Sequence, residues 1–518
     1  MKNIYVGIDL GTTFSAIAYL DEGGIPTIID NPDAKRGDNI TPSCVEFQKD
    51  QVVIGKQARA KLQLRGKAFG RFKRDMGSPI VYDRDGVSIT PTELSAHVLK
   101  EMHSIGETVG NVAKAVVTVP ANFTSDARES TLAAAKNAGL SIEHIINEPT
   151  AAAIYYAYVN GEELNGHYVV FDLGGGTFDV TILKAQGREF EVLVSNGIQE
   201  LGGTDFDNAL ITLVSKKFKN QTGEDLDDLG YTFNQAEADK ISLSTRSRIV
   251  AGGDSEIGDG STTIEVKRHE FEQEIAPLLA LIEMMCEDIL AEARLKPNDI
   301  KEIILAGGST RMPGVKDIVK RVFGKSPNNT ENVDEMVALG AAIWAGLRSD
   351  QAHLSAVQKQ SLTGITVSEI SNHYFGTLVM TEEADARLVR GESMDGLAQT
   401  DRVEIIIPKG SKLPCKKVEN LTNPHDNQTT FNLWITQSSN EEKNPEFVKI
   451  LWNDTLGPIK PRPRNETSLE VEYSYDLNGI MHCRFTDISP DSNRETIEVD
   501  LDLAKGDTGM IALEPPKK

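Results

Sequence analysis

The chain has 518 residues, which at ~150 residues per domain makes about three folding units, and its 39% apolar content is enough to fill more than one core. Its 54 Lys and Arg stand against 77 Asp and Glu, a formal charge of -23, and a field of that sign repels DNA, RNA and anionic lipid, so nucleic-acid and membrane-surface roles are excluded. Cys44, Cys286, Cys415 and Cys483 are scattered without a C-x-x-C spacing, which excludes a zinc ribbon or a disulfide framework.

Met1-Lys2-Asn3 runs straight into the apolar strand Ile4 to Ile8, without the h-region and cleavage site of a signal peptide. No run of ~18 consecutive apolar residues follows, so the expectation is a soluble, cytoplasmic chain without membrane contact. Residues 1 to about 350 alternate strand-type and helical patterns, whereas residues 364–505 read as short strands and turns. The fold class read from this is α/β followed by an all-β domain, with the boundary between Asp350 and Thr363.

YVGIDLGTTF (Tyr5 to Phe14) returns, with one residue inserted, as VVFDLGGGTF (Val169 to Phe178). Each copy is an apolar strand ending in Asp, a Gly/Thr turn and a second apolar strand, Ser15 to Leu20 and Asp179 to Leu183. Such a duplication predicts two equivalent lobes that face each other, about 1–164 and 165–350. Ser125 or Asp126 can cap a helix to Asn137, with Gly139 just past its end, and Pro149 opens the Ala-rich run Thr150 to Tyr158. Phe206 to Asp299 reads as a helix-rich insertion. The strand Ile303 to Ala306 turns at Gly307-Gly308 into Ser309-Thr310-Arg311, and Pro313 opens a helix through Val322.

Beyond the boundary, Thr381 to Arg402 reads as a solvated loop, Phe431, Leu433 and Ile435 as a half-buried strand, and Pro458 to Arg464 as an extended linker. Leu469, Val471, Tyr473 and Tyr475 alternate, Asn478-Gly479 makes a hairpin turn, and Met481, Cys483 and Phe485 alternate back.

Asp9 and Asp172 each close a strand before a Gly-rich turn whose N–H groups can approach phosphate oxygens with no Cβ in the way. Two carboxylates meeting between lobes can hold Mg²⁺ through its waters, because magnesium dehydrates reluctantly. One such turn alone is more often a plain hairpin; two copies, each followed by Thr (Thr12 and Thr13; Thr177), point to phosphate. Gly307 to Arg311 can line a base or phosphate with amides and a guanidinium, or be an ordinary strand-to-helix turn. Lys73 and Glu148 carry little meaning by spacing alone. P-loop and Rossmann fingerprints are absent from the sequence.

GIDLGTT (Gly7 to Thr13), INEPTAAA (Ile146 to Ala153), DLGGGTFDV (Asp172 to Val180), LGGTDFDN (Leu201 to Asn208), GGSTRMP (Gly307 to Pro313) and IIIPKGSKLP (Ile405 to Pro414) together resemble the seventy-kilodalton heat-shock chaperones of the DnaK type. The resemblance covers nearly the whole chain. It implies a duplicated actin-like ATPase domain (1–350), an interdomain linker (351–363), a β-sandwich that binds hydrophobic peptide (364–505) and a tail (506–518). ATP or ADP, Mg²⁺ and K⁺ are the implied cofactors, and client segments, a J-domain co-chaperone and a nucleotide exchange factor the implied partners.

Residue by residue, the resemblance makes Lys73 the cation at the γ-phosphate, and Glu148, Asp172 and Asp179 the carboxylates that arrange water and cations. Thr177 would donate to the γ-phosphate, and Asp9 would order the metal's shell with Asp172. Gly11, Thr12, Thr13, Gly174, Gly175 and Gly176 would cradle phosphates. Gly202, Gly203, Glu237, Lys240, Ser244, Gly307, Gly308, Ser309, Arg311 and Asp334 would line the nucleotide. Pro120 and Arg128 match a relay pair, and Phe375 and Phe431 fall at the peptide cleft.

Three departures stand out. Leu354, Val357 and Leu362 are separated by Gln358-Lys359-Gln360 where the family has a leucine run, which leaves coupling between the domains open. Phe431 stands where the family has a small aliphatic residue, which implies a partly filled pocket. After Thr496 to Leu503 only Ala504 to Lys518 remain, so the sequence predicts no helical lid and fast release of peptide. A filament-forming actin-like ATPase, a metabolite kinase of that superfamily and a peptide-binding module with uncoupled ATPase are the competing readings.

Overall fold

The computed structural model describes residues 2–32, 39–49, 51–62, 68–84, 86–161, 164–226, 230–251, 262–327, 332–349, 351–381, 384, 386, 390, 401–476 and 480–501. Asn478-Gly479, most of the Thr381 to Arg402 loop and the tail from Asp502 lie outside the described residues. Within the described part of that loop, Asp401 and Arg402 belong to the strand Asp401–Ile407. The chain divides into two compact units, Met1–Val367 and Ser368–Lys505.

In the first unit the strand Asn3–Leu10 is buried at Ile4, Tyr5, Val6, Ile8 and Leu10, on both faces, as a central strand covered above and below must be. It pairs antiparallel with Phe14–Leu20 on one side and parallel with Asn111–Val119 on the other. The sheet continues to Pro26–Ile28 beyond the hairpin and to Ile142–Asn147 beyond the parallel strand. A second sheet repeats this plan. Its strand Asn165–Leu173 pairs antiparallel with Phe178–Gln186 and parallel with Ile300–Ala306, and Glu189–Ile198 extends it past the hairpin. The repeated motif is therefore a repeated topology, with an apolar core under each sheet.

The two halves interlock through helices. Met336–Arg348, counted by sequence with the second lobe, packs on Asn3–Leu10 of the first sheet and on the helix Glu148–Asn160. The approach is close: a Cβ on Gly7 would lie 2.1 Å from the Ala342 nitrogen, and one on Gly340 would lie 1.8 Å from the Ala151 carbonyl oxygen. Asp9 and Glu148 thus sit on elements locked to one common helix. The insertion after the second hairpin carries the helices Gly203–Thr222, Phe233–Thr245, Arg268–Glu274 and Ala276–Glu292.

Several local readings need correction. The helix Ser125–Asn137 is capped by Thr124, whose side chain accepts from the Ala127 N–H, and not by Ser125 or Asp126. Glu148, not Pro149, begins its helix. Within residues 351–363, expected as an interdomain linker, Ala356–Leu362 forms a helix, and the first unit runs on to Val367.

The second unit holds two four-stranded sheets. One runs Asp401–Ile407, Tyr374–Met380, Phe431–Ser438, Lys449–Leu456, and the other Cys415–Thr422, Ser468–Tyr475, Met481–Asp487, Thr496–Asp500. Leu469, Val471, Tyr473 and Tyr475 are buried alternately with half-exposed residues, and Met481, Cys483 and Phe485 meet them in one core with Leu433 and Ile435. Pro458 to Arg464 is irregular but fastened: the Ile459 N–H donates to the Thr429 carbonyl at 2.8 Å, and the Asn427 N–H donates to the Arg462 carbonyl at 2.7 Å.

Candidate functional site

Parallel strands deliver their carboxyl ends to one edge of a sheet, where ligands of open α/β sheets collect. Asp9 ends its strand there in the first sheet and Asp172 in the second, and the Gly/Thr turns that follow them meet. A Cβ on Gly175 would lie 1.9 Å from the Thr13 hydroxyl, and one on Gly176 would lie 2.5 Å from the Thr12 hydroxyl. Only glycine allows the turns to touch.

Between them lies a cavity of about 100 Å³ lined by Asp9, Gly11, Thr12, Thr13, Lys73, Glu148, Asp172, Gly174, Gly175, Thr177, Gly307, Gly308 and Asp334 among others. Lys73, buried in the short turn Phe72–Asp75, donates to Glu148 Oε1 at 2.5 Å. Asp9 Oδ1 accepts from the Thr118 hydroxyl at 3.0 Å. Asp179, directly opposite Asp172 on the hairpin, is buried, and its Oδ1 has no hydrogen-bond partner.

The electrostatics follow from burial without neutralisation. Asp9 is pushed up to about 7, first by burial and then by the Glu148 charge, with Lys73 opposing. Asp179 is pushed up to about 8 by burial and Glu148. Asp172 is raised well above the usual carboxylate range by burial, Glu148, Asp179 and Asp9. Among these neighbours Lys73 is the one cation within reach of all three aspartates, against the four carboxylates Asp9, Glu148, Asp172 and Asp179, with Asp334 adding to the charge felt by Asp9. Such a cluster fits a bound cation. Among the described residues no three acidic, His or Cys side chains are grouped closely enough to hold a metal ion together, so Asp9 and Asp172 would hold magnesium through its water shell.

Other expected residues are brought near but not onto the cavity. Lys240 forms a buried ion pair with Asp207 at 2.7 Å and donates to the Gly203 carbonyl at 2.8 Å. Glu237 is paired with Arg59, Ser244 donates to the Lys240 carbonyl at 3.4 Å, and Arg311 meets Asp334 at 2.8 Å. Ser309 donates to the Gly174 carbonyl at 2.9 Å, and Gly202 forms the cap of the helix that Gly203 begins. The cavity is far below the roughly 300 Å³ of a small-molecule pocket, so a whole nucleotide enters only if the lobes part at these contacts.

Arg128 is buried and donates to the Ala121 carbonyl at 3.0 Å and to Asn147 Oδ1 at 2.7 Å. Asn147 is the residue before Glu148, so the turn from Pro120 to Phe123 is tied to the cavity wall through one side chain. Sequence reasoning missed Arg74. Its guanidinium donates to the Gly176 carbonyl at 2.9 and 3.0 Å and to Asp205, pinning the second turn from the opposite lobe. Its place beside Lys73 and the Asp three residues after Gly202 were the available signals.

In the second unit a groove of about 680 Å³ is lined in part by Leu378, Met380, Leu421, Phe431, Trp434 and Leu469. Phe431 stands on its wall with its ring mostly in the core. Phe375 does not line it: fully buried, it packs edge-on against Tyr475 at 5.1 Å, because its side of the strand faces between the sheets. Among the described residues no helix is long and apolar enough to cross a membrane.

The chain thus combines one unit with two sheets of one topology, whose acidic turns meet across a cavity with a lining suited to an anion and a cation, and an all-β unit with its own groove. The profile described as "Hsp70 protein" matches residues 5–83, 74–373 and 396–510, and the chain belongs to the Hsp70 family. It is similar to proteins named chaperone protein DnaK: 34% identical over 509 residues to that of Mycoplasmopsis synoviae (strain 53), covering 96% of this chain and 79% of that protein. To that of Mycoplasmopsis pulmonis (strain UAB CTIP) it is 32% identical over 504 residues, covering 95% and 78%. To that of Metamycoplasma hominis it is 34% identical over 489 residues, covering 92% and 76%.

Proposed function

We propose that the chain is an ATP-dependent chaperone of actin-like and β-sandwich construction, which hydrolyses ATP in the cleft of Met1–Val367 and binds extended hydrophobic segments of client proteins in the groove of Ser368–Lys505. The observation that carries the ATPase reading is the set of four carboxylates facing the single ammonium of Lys73 beside two Gly/Thr turns. Phosphoryl transfer needs positioned charge and amide donors more than covalent chemistry, and that set supplies both.

In this reading Thr12, Thr13 and Thr177 donate to phosphate oxygens and the turn amides cradle them. Lys73, released from Glu148, meets the charge that develops on the transferring group. Glu148 and Asp179 then orient the attacking water, and the raised proton affinity of Asp179 suits it to receive the proton. A magnesium ion ordered by Asp9 and Asp172 would neutralise phosphate charge when bound. Glu237, Lys240, Ser244 and Arg311 exchange their present partners for the nucleoside. A J-domain protein and an exchange factor are the partners this cycle would use.

The test is ATP turnover by the full chain across a magnesium titration, with and without a library of hydrophobic peptides. Turnover that depends on magnesium and rises with peptide supports the reading. Magnesium-dependent turnover that no peptide changes removes the chaperone half, and absence of turnover removes the whole.

A further inference from the structure

The helix Ala276–Glu292 departs from the pattern of a surface helix, which turns a polar face to water and one apolar stripe to its core. It buries Ile282, Cys286 and Ile289 in the core under the second sheet, as such a helix should. Its opposite face is apolar as well. Pro277, Ala280, Leu281 and Met284 are all exposed, Leu281 at 41% and Met284 at 51%. Their spacing of i, i+3, i+4 and i+7 lines them up as one stripe. Across Ala276 to Cys286 the one charged residue is Glu283, which is paired with Arg321 of the neighbouring helix Pro313–Phe323. Single exposed apolar side chains are ordinary, but an aligned stripe marks a contact face.

The two ends of the stripe differ in charge. One turn beyond Met284, Glu287 and Asp288 are exposed. At the other end Glu274, three residues before Pro277, is paired at 2.6 Å with Lys216, whose side chain is 59% exposed. A chain of formal charge -23 repels its own copies, so a face that joins two of them must set cations against anions. A twofold axis between Ala280 and Leu281 does so: the two helices run antiparallel, Pro277 meets the partner's Met284, and position 274, with Lys216 beside it, meets the partner's Glu287.

We propose that Ala276–Glu292 is the contact face of a homodimer, packed antiparallel on the same helix of a second copy, with Leu281 at the axis and Lys216 against the partner's Glu287 at each end. None of these residues lines the cavity between the two turns. From Pro277 to Met284 the stripe is ~10 Å long at 1.5 Å per residue, a small contact, so the dimer forms with rising concentration rather than permanently.

The experiment is sedimentation velocity of the full chain, without nucleotide or peptide, over a concentration series reaching ~100 µM, the range of weak specific association. The parent chain is expected to pass from monomer to dimer. Leu281→Lys, at an exposed position where the fold is not at stake, sets two ammonium groups together at the axis and is expected to raise the dimer Kd about tenfold or more. Lys216→Glu and Glu287→Lys each bring like charges together and are expected to weaken the dimer by a similar factor. The chain carrying both reverses the pair instead of removing it and regains most of the parent's affinity, a rescue that damage to the fold would not allow. A parent chain that stays monomeric throughout, a dimer that Leu281→Lys leaves intact, or a double charge variant no better than either single one overturns the homodimer.

Discussion

Asp172 and Asp179 stand directly opposite one another across the hairpin of the second sheet, where the first sheet pairs Asp9 with Ala16. Like charges in register weaken a sheet, and here both are buried. At this pair the two copies differ in charge, and the difference concentrates carboxyl groups on one side of the cleft.

That arrangement sets a pH dependence for the cation-free protein. Unfolded, these carboxyls titrate near ~4; folded, Asp9 is raised to about 7 and Asp179 to about 8. The folded state therefore holds protons that the unfolded state gives up, and the stability this contributes is full below the unfolded value and lost as pH rises through 7 to 8. Thermal unfolding in chelator should fall across that window. Asp179→Asn should flatten the fall and raise the melting point at its alkaline end by at least ~1 kcal/mol, or about 2–4 °C. A flat profile in the parent chain would remove the argument.

Lys73→Ala should lower ATP turnover by at least ~100-fold, about 2.7 kcal/mol, while leaving nucleotide affinity near that of the parent chain. It also strands Glu148, whose buried partner it is at 2.5 Å, and breaking such a pair costs about 3–5 kcal/mol of stability. Lys73→Ala combined with Glu148→Gln should recover much of the stability and none of the turnover. Denaturant melts beside steady-state kinetics separate the two effects.

The doubled lobe, the two acidic turns and the sandwich strands were legible because each rests on local signals: Asp9 and Asp172 end apolar runs before Gly, and Leu469 to Tyr475 alternate strictly. What was not legible depends on distant partners. Phe375 and Phe431 look alike in sequence, yet one is sealed against Tyr475 and the other borders the groove. Gln358 reads as a polar interruption and proves to be a buried donor to the carbonyls of Leu20 and Asp21, 338 and 337 residues away. Arg74 and Asp205 meet across lobes, and no spacing announces that.

Asp9→Asn and Asp172→Asn should each weaken binding of Mg-ATP, and their effects should fall short of additive in the double variant. The reason is that both carboxylates act on one water-clad ion, so removing the first already forfeits part of what the second contributes, with coupling of about 0.5–3 kcal/mol expected between groups sharing a partner. Isothermal titration at fixed magnesium gives the cycle. Strict additivity would mean that the two aspartates serve separate ions or none.

Gly175→Ala tests whether the two turns must touch. The added carbon would sit 1.9 Å from the Thr13 hydroxyl and 2.9 Å from its Cβ, closer than any real contact, so the lobes must separate at the point where both turns would embrace phosphate. Nucleotide affinity should fall about tenfold or more, a shift of ~1.4 kcal/mol. In a Thr13→Ala background the hydroxyl is gone and only the looser clash remains, so the same Gly175→Ala change should cost less there. If it costs as much in that background, the turns are not held together by this contact, and the closed cavity between Asp9 and Asp172 has another origin.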